Sequence, residues 1–353
     1  REEIGKTDWS VIESESGLSR AQIEEVASLY CESKKVIACW AMGLTQQKHA
    51  VSTIQHIVNL LLLRGNIGRP GAGVCPVRGH SNVQGDRTVG ITEHPNESFL
   101  KNLDVQFRIS SPRNSGFNTV QAIQAMESKR VKVFMGMGGN FARATPDSSR
   151  TEEALARCEL TVQVTTKLNK THLAHGKKAL ILPCLGRSEL DVQASGEQSV
   201  TVEDSMGVVH SSRGRNQPAS ENLKSEVAIV VGMARAAFPD NQKIWQVLQD
   251  DYSLIRKKIE AVLPELFEDY NEKITQPGGF RLYNSAAARK WNTKTGKARF
   301  ITKPLPILEV PAGKLRLMTI RSHDQYNTTI YGLNDRYRGI FGTRRVILMN
   351  LQD

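Results

Sequence analysis

Between residues 128 and 183, short apolar runs alternate with helical segments, and this alternation restricts the fold more than any other feature of the chain. The successive segments are 130–135, 148–158, 160–165, 171–178 and 179–182, of which the first, third and fifth have the composition of strands. Strands joined through helices pair in parallel, because each crossover carries the chain back to the same edge of the sheet. The pattern predicts an α/β fold with a βαβαβ unit.

The region before this unit predicts one further strand between two helices. Ser19 is a helix N-cap for residues 20–30, and residues 35–40 have the composition of a strand. Over residues 50–63 apolar side chains recur every three or four positions, which predicts a buried helix. The glycines and prolines of residues 65–95 exclude any long regular element, and a loop of that length in a compact domain is usually functional.

The overall composition excludes fibrous, disordered and membrane-spanning classes. Hydrophobic residues make up 39% and charged residues 24% of the 353, which is typical of a globular chain of two or three domains. No apolar run is long enough to cross a bilayer, and residues 1–20 lack the apolar core of a secretory signal. Five cysteines without a C-x-x-C pair fit a reducing compartment. We therefore expect a cytoplasmic protein without a transmembrane segment.

A net charge of +11 favours an anionic partner, such as a phosphate-bearing cofactor, a nucleic acid or an anionic lipid. The basic residues are scattered in short tracts, which is also typical of a solvated surface. The chain lacks the basic helix and the aromatic platform that nucleic-acid-binding proteins use. We expect no nucleic-acid partner, and a basic nucleic-acid-binding or scaffold protein remains an alternative.

Residues 136–140, Gly-Met-Gly-Gly-Asn, follow the first strand of the βαβαβ unit. Glycine lets backbone N–H groups approach an anion, and nucleotides bind at the ends of parallel strands. The segment is not a G-x-G-x-x-G motif, so a plain turn is the competing interpretation. A nucleotide-dependent dehydrogenase that uses this unit alone is a second alternative. It predicts an acidic residue after the second strand, where this chain has Thr165, Thr166 and Lys167.

The long loop carries Arg78 and His80 on either side of a glycine. A guanidinium offers a planar fork to a carboxylate, and an imidazole relays protons near neutral pH, although an arginine that caps loop carbonyls is more common. His172 and His175 could share a helix face, but no third metal ligand accompanies them. Nothing in the sequence near Cys75 would activate its thiol, which favours a packed cysteine.

Two later segments are candidates for ligand contact. Residues 205–215 place Arg213 and Arg215 among serine and glycine, a composition that suits a phosphate and equally a turn. Residues 321–329 follow a strand predicted at 314–320 and carry hydrogen-bonding side chains of many types, which favours a loop that lines a ligand.

Five segments, in this order, resemble successive motifs of the molybdopterin oxidoreductases, the bis-molybdopterin guanine dinucleotide enzymes that include formate dehydrogenases and nitrate reductases. They are Ala41–Gln46, Arg64–Gly73, Val77–Gly85, Met135–Asn140 and Arg321–Asn327. Residues 74–91 are most similar to the formate dehydrogenase-like alpha subunits. The resemblance covers nearly the whole chain.

The resemblance implies a molybdenum-dependent oxidoreductase that performs a two-electron redox reaction on a small substrate and passes electrons to an acceptor or an electron-transfer subunit. Its cofactor would be bis-molybdopterin guanine dinucleotide with molybdenum or tungsten. The metal ligand and the cysteines of a 4Fe-4S cluster would lie upstream of this chain, so we assign no metal ligand here. Residues 1–353 alone would then be inactive.

For the fold, the resemblance implies Rossmann-like nucleotide-binding domains of the formate dehydrogenase/DMSO reductase type. The expected parts are the end of one α/β domain (1–70), a βαβαβ guanine-dinucleotide-binding domain (71–220), a helical return segment with a linker (221–311) and the truncated start of a C-terminal β-barrel-like, cofactor-binding domain (312–353).

The family's site residues carry over by position. Arg78 resembles the arginine that orients substrate beside the metal, and His80, the second catalytic candidate, stands where formate dehydrogenases often have glutamine, which leaves the substrate open. Pterin contacts are expected from Met42 and Gln46 and, in the last domain, from Arg321, Gln325, Asn327 and Thr328. The guanosine diphosphate part is expected on Gly136, Met137, Gly138, Gly139, Asn140, Thr165, Lys170 and Arg213.

Overall fold

The structure is a computed structural model that describes residues 2–80 and 82–352. Its α-helices are α1 (Glu2–Gly5), α2 (Trp9–Ser16), α3 (Arg20–Glu32), α4 (Met42–Thr45), α5 (Ala50–Leu63), α6 (Val83–Thr88), α7 (Glu97–Phe107), α8 (Thr119–Glu127), α9 (Phe141–Ala144), α10 (Ser148–Ala156), α11 (Glu226–Ala237), α12 (Gln242–Asp250), α13 (Tyr252–Val262), α14 (Pro264–Phe267) and α15 (Tyr270–Lys273). Turns of 3₁₀ helix occupy Lys170–Leu173 and Pro239–Asn241. Its strands are β1 (Ile37–Trp40), β2 (Gly73–Pro76), β3 (Val133–Met137), β4 (Leu160–Thr165), β5 (Lys178–Pro183), β6 (Val192–Gln193), β7 (Gly196–Glu197), β8 (Val200–Glu203), β9 (Val208–Ser212), β10 (Phe280–Arg281), β11 (Gln325–Tyr326) and β12 (Thr329–Ile330).

The chain folds into two compact units, and each unit is assembled from three separate stretches. Unit 1 comprises residues 1–110, 200–212 and 256–314. Unit 2 comprises residues 111–199, 213–255 and 315–353. The division into four contiguous parts, which the family resemblance implies, stays a prediction.

The βαβαβ unit of unit 2 confirms the predicted parallel sheet. The strands lie in the order β3-β4-β5, and both neighbouring pairs are parallel. Helices α8 and α10 cover the sheet with a core in which Met126, Leu155 and Cys158 are fully buried. Pairing of β3 with β4 continues to Met137, so Gly136 and Met137 are strand residues and the glycine loop begins only at Gly138.

In unit 1, β1 and β2 form a parallel pair whose register aligns Ile37 with Gly73 and Trp40 with Pro76. The helices before and between these strands form where the sequence predicts them. Ser19 caps α3 in a reciprocal capping box with Gln22, and α5 occupies Ala50–Leu63 with Leu61 fully buried.

An antiparallel sheet in the order β8-β9-β10 completes unit 1. Its core is formed by Val209 together with Phe267, Tyr270 and Ile274. The rings of Phe267 and Tyr270 lie 4.5 Å apart between centroids, and both meet Phe280 of β10 edge-on. The serine- and arginine-rich stretch around residue 210 therefore supplies a strand as well as a turn.

Three sequence-based expectations were wrong. The helical segment predicted over residues 171–178 is reduced to the 3₁₀ turn Lys170–Leu173, and Lys178 already belongs to β5. The sequence predicts one helix over residues 243–262, but the structure has two, because Asp251 adopts extended backbone angles and separates α12 from α13. The strand predicted over residues 314–320 does not form, because none of the described residues pairs with it. Its side chains remain exposed, and Leu317 retains 81% of its accessible surface.

Candidate functional site

The glycine loop that follows β3 presents bare backbone at the carboxyl end of the parallel sheet. Gly138 and Gly139 adopt left-handed φ angles of +67° and +73°, and a Cβ added at either position would meet no atom within 4 Å. The Gly138 N–H is anchored by a 2.7 Å bond to the Val164 carbonyl of the neighbouring strand. Open space over glycine backbone at a strand end is the geometry that admits a nucleotide phosphate or base.

Asn140 connects this loop to two other parts of unit 2. Its Oδ1 accepts a 2.8 Å hydrogen bond from Thr171 Oγ1, and the same hydroxyl accepts the N–H of Ala142 at 3.0 Å. Its Nδ2 donates to Thr328 Oγ1 at 3.2 Å. The structure thus brings together the predicted site residues Asn140 and Thr328, and it adds the buried Thr171.

His172 presents a buried donor that has no partner among the described residues. Its Nδ1 lies 2.9 Å from the Asn169 N–H and 3.1 Å from the Asn169 carbonyl oxygen. We assign Nδ1 as the acceptor of the shorter bond, which places the proton of the neutral ring on Nε2. That atom is buried and makes no hydrogen bond in the described part of the chain. A buried donor without a partner is costly, so an acceptor from a bound group would satisfy it.

Sequence reasoning missed Asn169 and His172 as site residues. Asn169 caps the 3₁₀ turn through its side chain, and its Nδ2 also donates to the Gly139 carbonyl at 2.8 Å. The signal in the sequence was the Asn-x-x-His spacing just after a strand, which is a capping box. The sequence analysis considered His172 only as a metal ligand together with His175, and it did not consider that His172 caps the turn with Asn169.

Several other predicted residues have local structural roles. Thr165 Oγ1 donates to the Lys167 carbonyl at 2.7 Å and closes the turn after β4, while Lys170 is exposed at the start of the 3₁₀ turn. Arg213 forms a surface ion pair with Glu197 at 2.9 Å. At Gly136 a Cβ would lie 2.8 Å from Gln163 Oε1, so sheet packing already accounts for a glycine at that position.

The segment that begins at Arg321 is held by arginines from further along the chain. Arg344 donates to Gln325 Oε1 at 3.4 Å and also binds Ser322 Oγ and the Gly332 carbonyl. Asn327 adopts a left-handed φ of +46° in the turn between β11 and β12. The Arg321 carbonyl accepts a bond from Arg338, and the Arg321 side chain is exposed.

Asp335 is the buried anchor of this segment. It accepts hydrogen bonds from His323 Nδ1 at 2.9 Å and from Arg338 Nη1 at 2.6 Å, and its side chain retains 3% exposure. Burial by itself would raise the pKa of Asp335, but the bonds from Arg338 and His323 outweigh burial and lower the pKa to about 2. The carboxylate is therefore ionised at neutral pH.

In unit 1, the loops after β1 and β2 leave the same edge of a parallel pair. Met42 begins α4, its Sδ lies 3.8 Å from Gln46 Nε2, and its Cε lies 3.8 Å from the position of a Cβ on Gly79. The predicted residues Met42 and Gln46 are thus adjacent to the loop that carries Arg78 and His80. Arg78 is exposed, and its guanidinium makes no hydrogen bond or ion pair with any described residue. The described part of the chain offers no carbonyl that it caps.

No group of three histidine, cysteine, aspartate or glutamate side chains could hold a metal ion within residues 2–80 and 82–352. Over the same residues, every helix is too short or too polar to cross a membrane.

Comparison with known proteins adds independent information. The molybdopterin oxidoreductase family matches residues 22–182. An uncharacterized oxidoreductase of Mycobacterium bovis is 56% identical over 340 residues, which is 96% of this chain and 44% of that protein. The protein YdeP of Escherichia coli K12 is 50% identical over 99% of this chain and 46% of its own length. Formate dehydrogenase H of Escherichia coli is 28% identical over 172 residues. The chain spans less than half the length of these relatives.

Proposed function

Residues 22–182 belong to the molybdopterin oxidoreductase family, and from this premise we propose that the chain is part of an enzyme that carries out a formate-dehydrogenase-like, two-electron redox reaction on a small substrate. The proposed cofactor is bis-molybdopterin guanine dinucleotide with molybdenum or tungsten. The observation that carries the proposal is the open glycine backbone at residues 138–139, at the carboxyl end of β3.

The residues around this loop fit the guanine nucleotide part of the cofactor. Gly138 and Gly139 leave room above the backbone, and His172 supplies a donor that needs an acceptor. Lys170 is exposed and follows Asn169, whose side chain binds the Gly139 carbonyl, and it would contribute positive charge toward a pyrophosphate. Asn140, held by Thr171 and Thr328, would present its fixed amide to the same group.

In unit 1, the residues around Arg78 fit the substrate and pterin part. Met42 and Gln46 would contact the pterin, and the exposed Arg78 would receive an anionic or carbonyl oxygen of the substrate. His80 lies two residues further on and would accept or donate a proton there. When bound, the cofactor supplies the electron transfer, while the protein groups orient the substrate.

The finer architecture and the partners are part of the same proposal. Rossmann-like domains, a C-terminal β-barrel-like domain, a 4Fe-4S cluster outside this chain and an electron acceptor or electron-transfer subunit are what the family resemblance of the sequence motifs implies. We also propose a cytoplasmic location. On this proposal Arg321, Gln325 and Asn327 contact a pterin of the cofactor.

The residues at the end of β4 support a nucleotide-dependent dehydrogenase less well than they support a molybdopterin enzyme. Such enzymes place an acidic residue there to bind the ribose hydroxyls of the nucleotide. Here β4 ends at Thr165, whose hydroxyl is engaged by the turn, and Thr166 and Lys167 follow. The scattered basic surface gives no comparable support to nucleic-acid binding.

Elemental and pterin analysis of the protein, purified at its natural full length, tests the proposal. We expect molybdenum or tungsten near one atom per chain, together with extractable pterin guanine dinucleotide, and dye reduction with formate identifies the substrate class. Tight binding of NAD by protein that contains no molybdenum, tungsten or pterin would overturn the proposal.

A further inference from the structure

Cys39 and Cys75 lie directly opposite each other on the parallel strands β1 and β2. All five cysteines of the chain are free in the structure. Side chains of a register pair project from the same face of a sheet, and neighbouring strands are about 4.8 Å apart. That spacing falls within the range of roughly 4.4–6.8 Å between Cα atoms over which a disulfide can form.

The register of the pair is fixed by backbone bonds on both sides. The Gly73 N–H donates to the Val36 carbonyl at 3.0 Å before the pair, and the Val77 N–H donates to the Trp40 carbonyl at 2.7 Å after it. The two thiols therefore cannot slide apart without breaking the ladder. Burial, together with the neighbouring Cys39 thiol, raises the pKa of Cys75.

The two thiols differ in accessibility. Cys39 is exposed, whereas Cys75 is half-buried. An accessible thiol beside a less accessible one is the arrangement of an attacking and a resolving cysteine.

We propose that Cys39 and Cys75 are a site of reversible thiol modification, at which a low-molecular-weight disulfide converts the dithiol into a cross-strand disulfide. The Cys39 thiolate attacks one sulfur of the small disulfide and expels one thiolate. The Cys75 thiolate then attacks the Cys39 sulfur of the mixed disulfide and expels the second. Both protons pass to solvent, the two cysteines are oxidised, and the small disulfide is reduced to two thiols.

The site lies at the base of the loops that carry Met42 and Arg78. Met42 follows Cys39 by three positions and Arg78 follows Cys75 by three, and Met42 lies against Gly79. A covalent link between the strands would hold these two loops at a fixed separation. The chemistry of the pair is independent of whether the proposed function is correct.

Oxidised glutathione tests the inference in the folded protein. After incubation and alkylation of the remaining thiols, peptide mass spectrometry should find a Cys39–Cys75 cross-linked peptide, with both free thiols lost together and both restored by dithiothreitol. In Cys75→Ser, Cys39 should retain one glutathionyl group because no resolving thiol is present. Cys31→Ser is the matched control, since Cys31 is also exposed in unit 1 and its loss should leave the cross-link unchanged.

Unfolding the chain in urea provides the second measurement. Without the register, closure of the shorter loop favours a Cys31–Cys39 cross-link over Cys39–Cys75. We expect the preferred pair to change from Cys39–Cys75 in the folded protein to Cys31–Cys39 in urea. Folded protein in which both cysteines hold glutathione without a cross-link, or in which Cys31 reacts while this pair does not, would overturn the proposal.

Discussion

The side-chain amide of Asn140 donates a hydrogen bond to the hydroxyl of Thr328 across 3.2 Å, although 188 positions separate the two residues. The same amide accepts a bond from Thr171, which is 1% exposed. Asn140 therefore holds the last segment of unit 2 to the loop after β3 and, with its other end, holds that loop to the 3₁₀ turn after β4.

Two substitutions distinguish the contribution of the Asn140 oxygen, which binds Thr171, from that of its nitrogen, which binds Thr328. Asn140→Asp keeps an acceptor for Thr171 and removes the donor to Thr328, so we expect a melting temperature near that of the wild type and a lower cofactor content. Asn140→Ala also leaves the buried Thr171 hydroxyl without its acceptor, which should cost about 1–3 kcal/mol in the free energy of unfolding. Thermal unfolding and cofactor content, measured on the same samples, check both. Equal stability of the two variants would show that Thr171 does not depend on this bond.

Gly138→Val tests the open backbone of the glycine loop. At φ +67° a β-branched residue is strained by about 1–3 kcal/mol, so some loss of stability is expected whatever the loop binds. Gly17→Val is the matched control, because Gly17 has a φ of +69° and equally open surroundings at the end of α2. We expect similar falls in melting temperature for both variants and loss of pterin guanine dinucleotide only for Gly138→Val. Normal cofactor loading in Gly138→Val would remove the nucleotide site from this loop.

Arg78→Lys tests the substrate role of the exposed Arg78 guanidinium. Replacing a bidentate fork by a point charge should lower kcat/KM about 10- to 1000-fold while cofactor content stays unchanged. Arg20→Lys, at an exposed ion pair with Glu24 on α3, should leave both quantities unchanged. Steady-state kinetics at the natural full length provide the measurement. A variant that keeps full activity, or that unfolds, would favour a structural role for Arg78.

The lowered pKa of Asp335 predicts that the folded protein loses part of its free energy of unfolding in acid. Its pKa is lowered from 3.8 to about 2 in the folded protein, so its contribution is fully present above about pH 4 and disappears as the pH falls toward 2. The difference in free energy of unfolding between wild type and Asp335→Asn should therefore shrink across that interval. Urea unfolding of both proteins at a series of pH values measures it. A difference that stays constant from about pH 5 to about pH 2 would contradict the ion pairing with Arg338.

The elements with strong local periodicity could be predicted from the sequence, and those that depend on a distant partner could not. Helix α5 and strand β4 have the predicted bounds because their apolar residues recur locally at helical spacing in α5 and as a short β-branched run in β4. Residues 314–320 alternate like a strand but have no partner among the described residues, and nothing local reveals that. Asp251 separates α12 from α13 although the apolar residues on both sides continue at helical spacing.

For the candidate site, the sequence predicted several of the residues but not the contacts between them. The family resemblance named Asn140 and Thr328, but their hydrogen bond depends on the folded backbone. The sequence shows that a histidine is present at position 172, but not that its Nε2 is a buried donor. That property follows from the cap, in which Nδ1 accepts the Asn169 N–H and Nε2 has no partner in the described part of the chain. Likewise, Cys39 and Cys75 are 36 positions apart, and only the register of β1 against β2 shows that they meet.

The interleaving of the two units has a consequence for synthesis on the ribosome. Unit 1 takes its last stretch from residues 256–314, and its core packs Val89 against elements near Phe267 and Tyr270. At about 5–20 residues per second, the ribosome needs roughly 10–40 s to extend the chain from residue 110 to residue 314. During that interval the first stretch of unit 1 emerges with its apolar surface uncovered, while unit 2 is also incomplete. The nascent chain should therefore be a substrate for holding chaperones until residues 256–314 have left the exit tunnel.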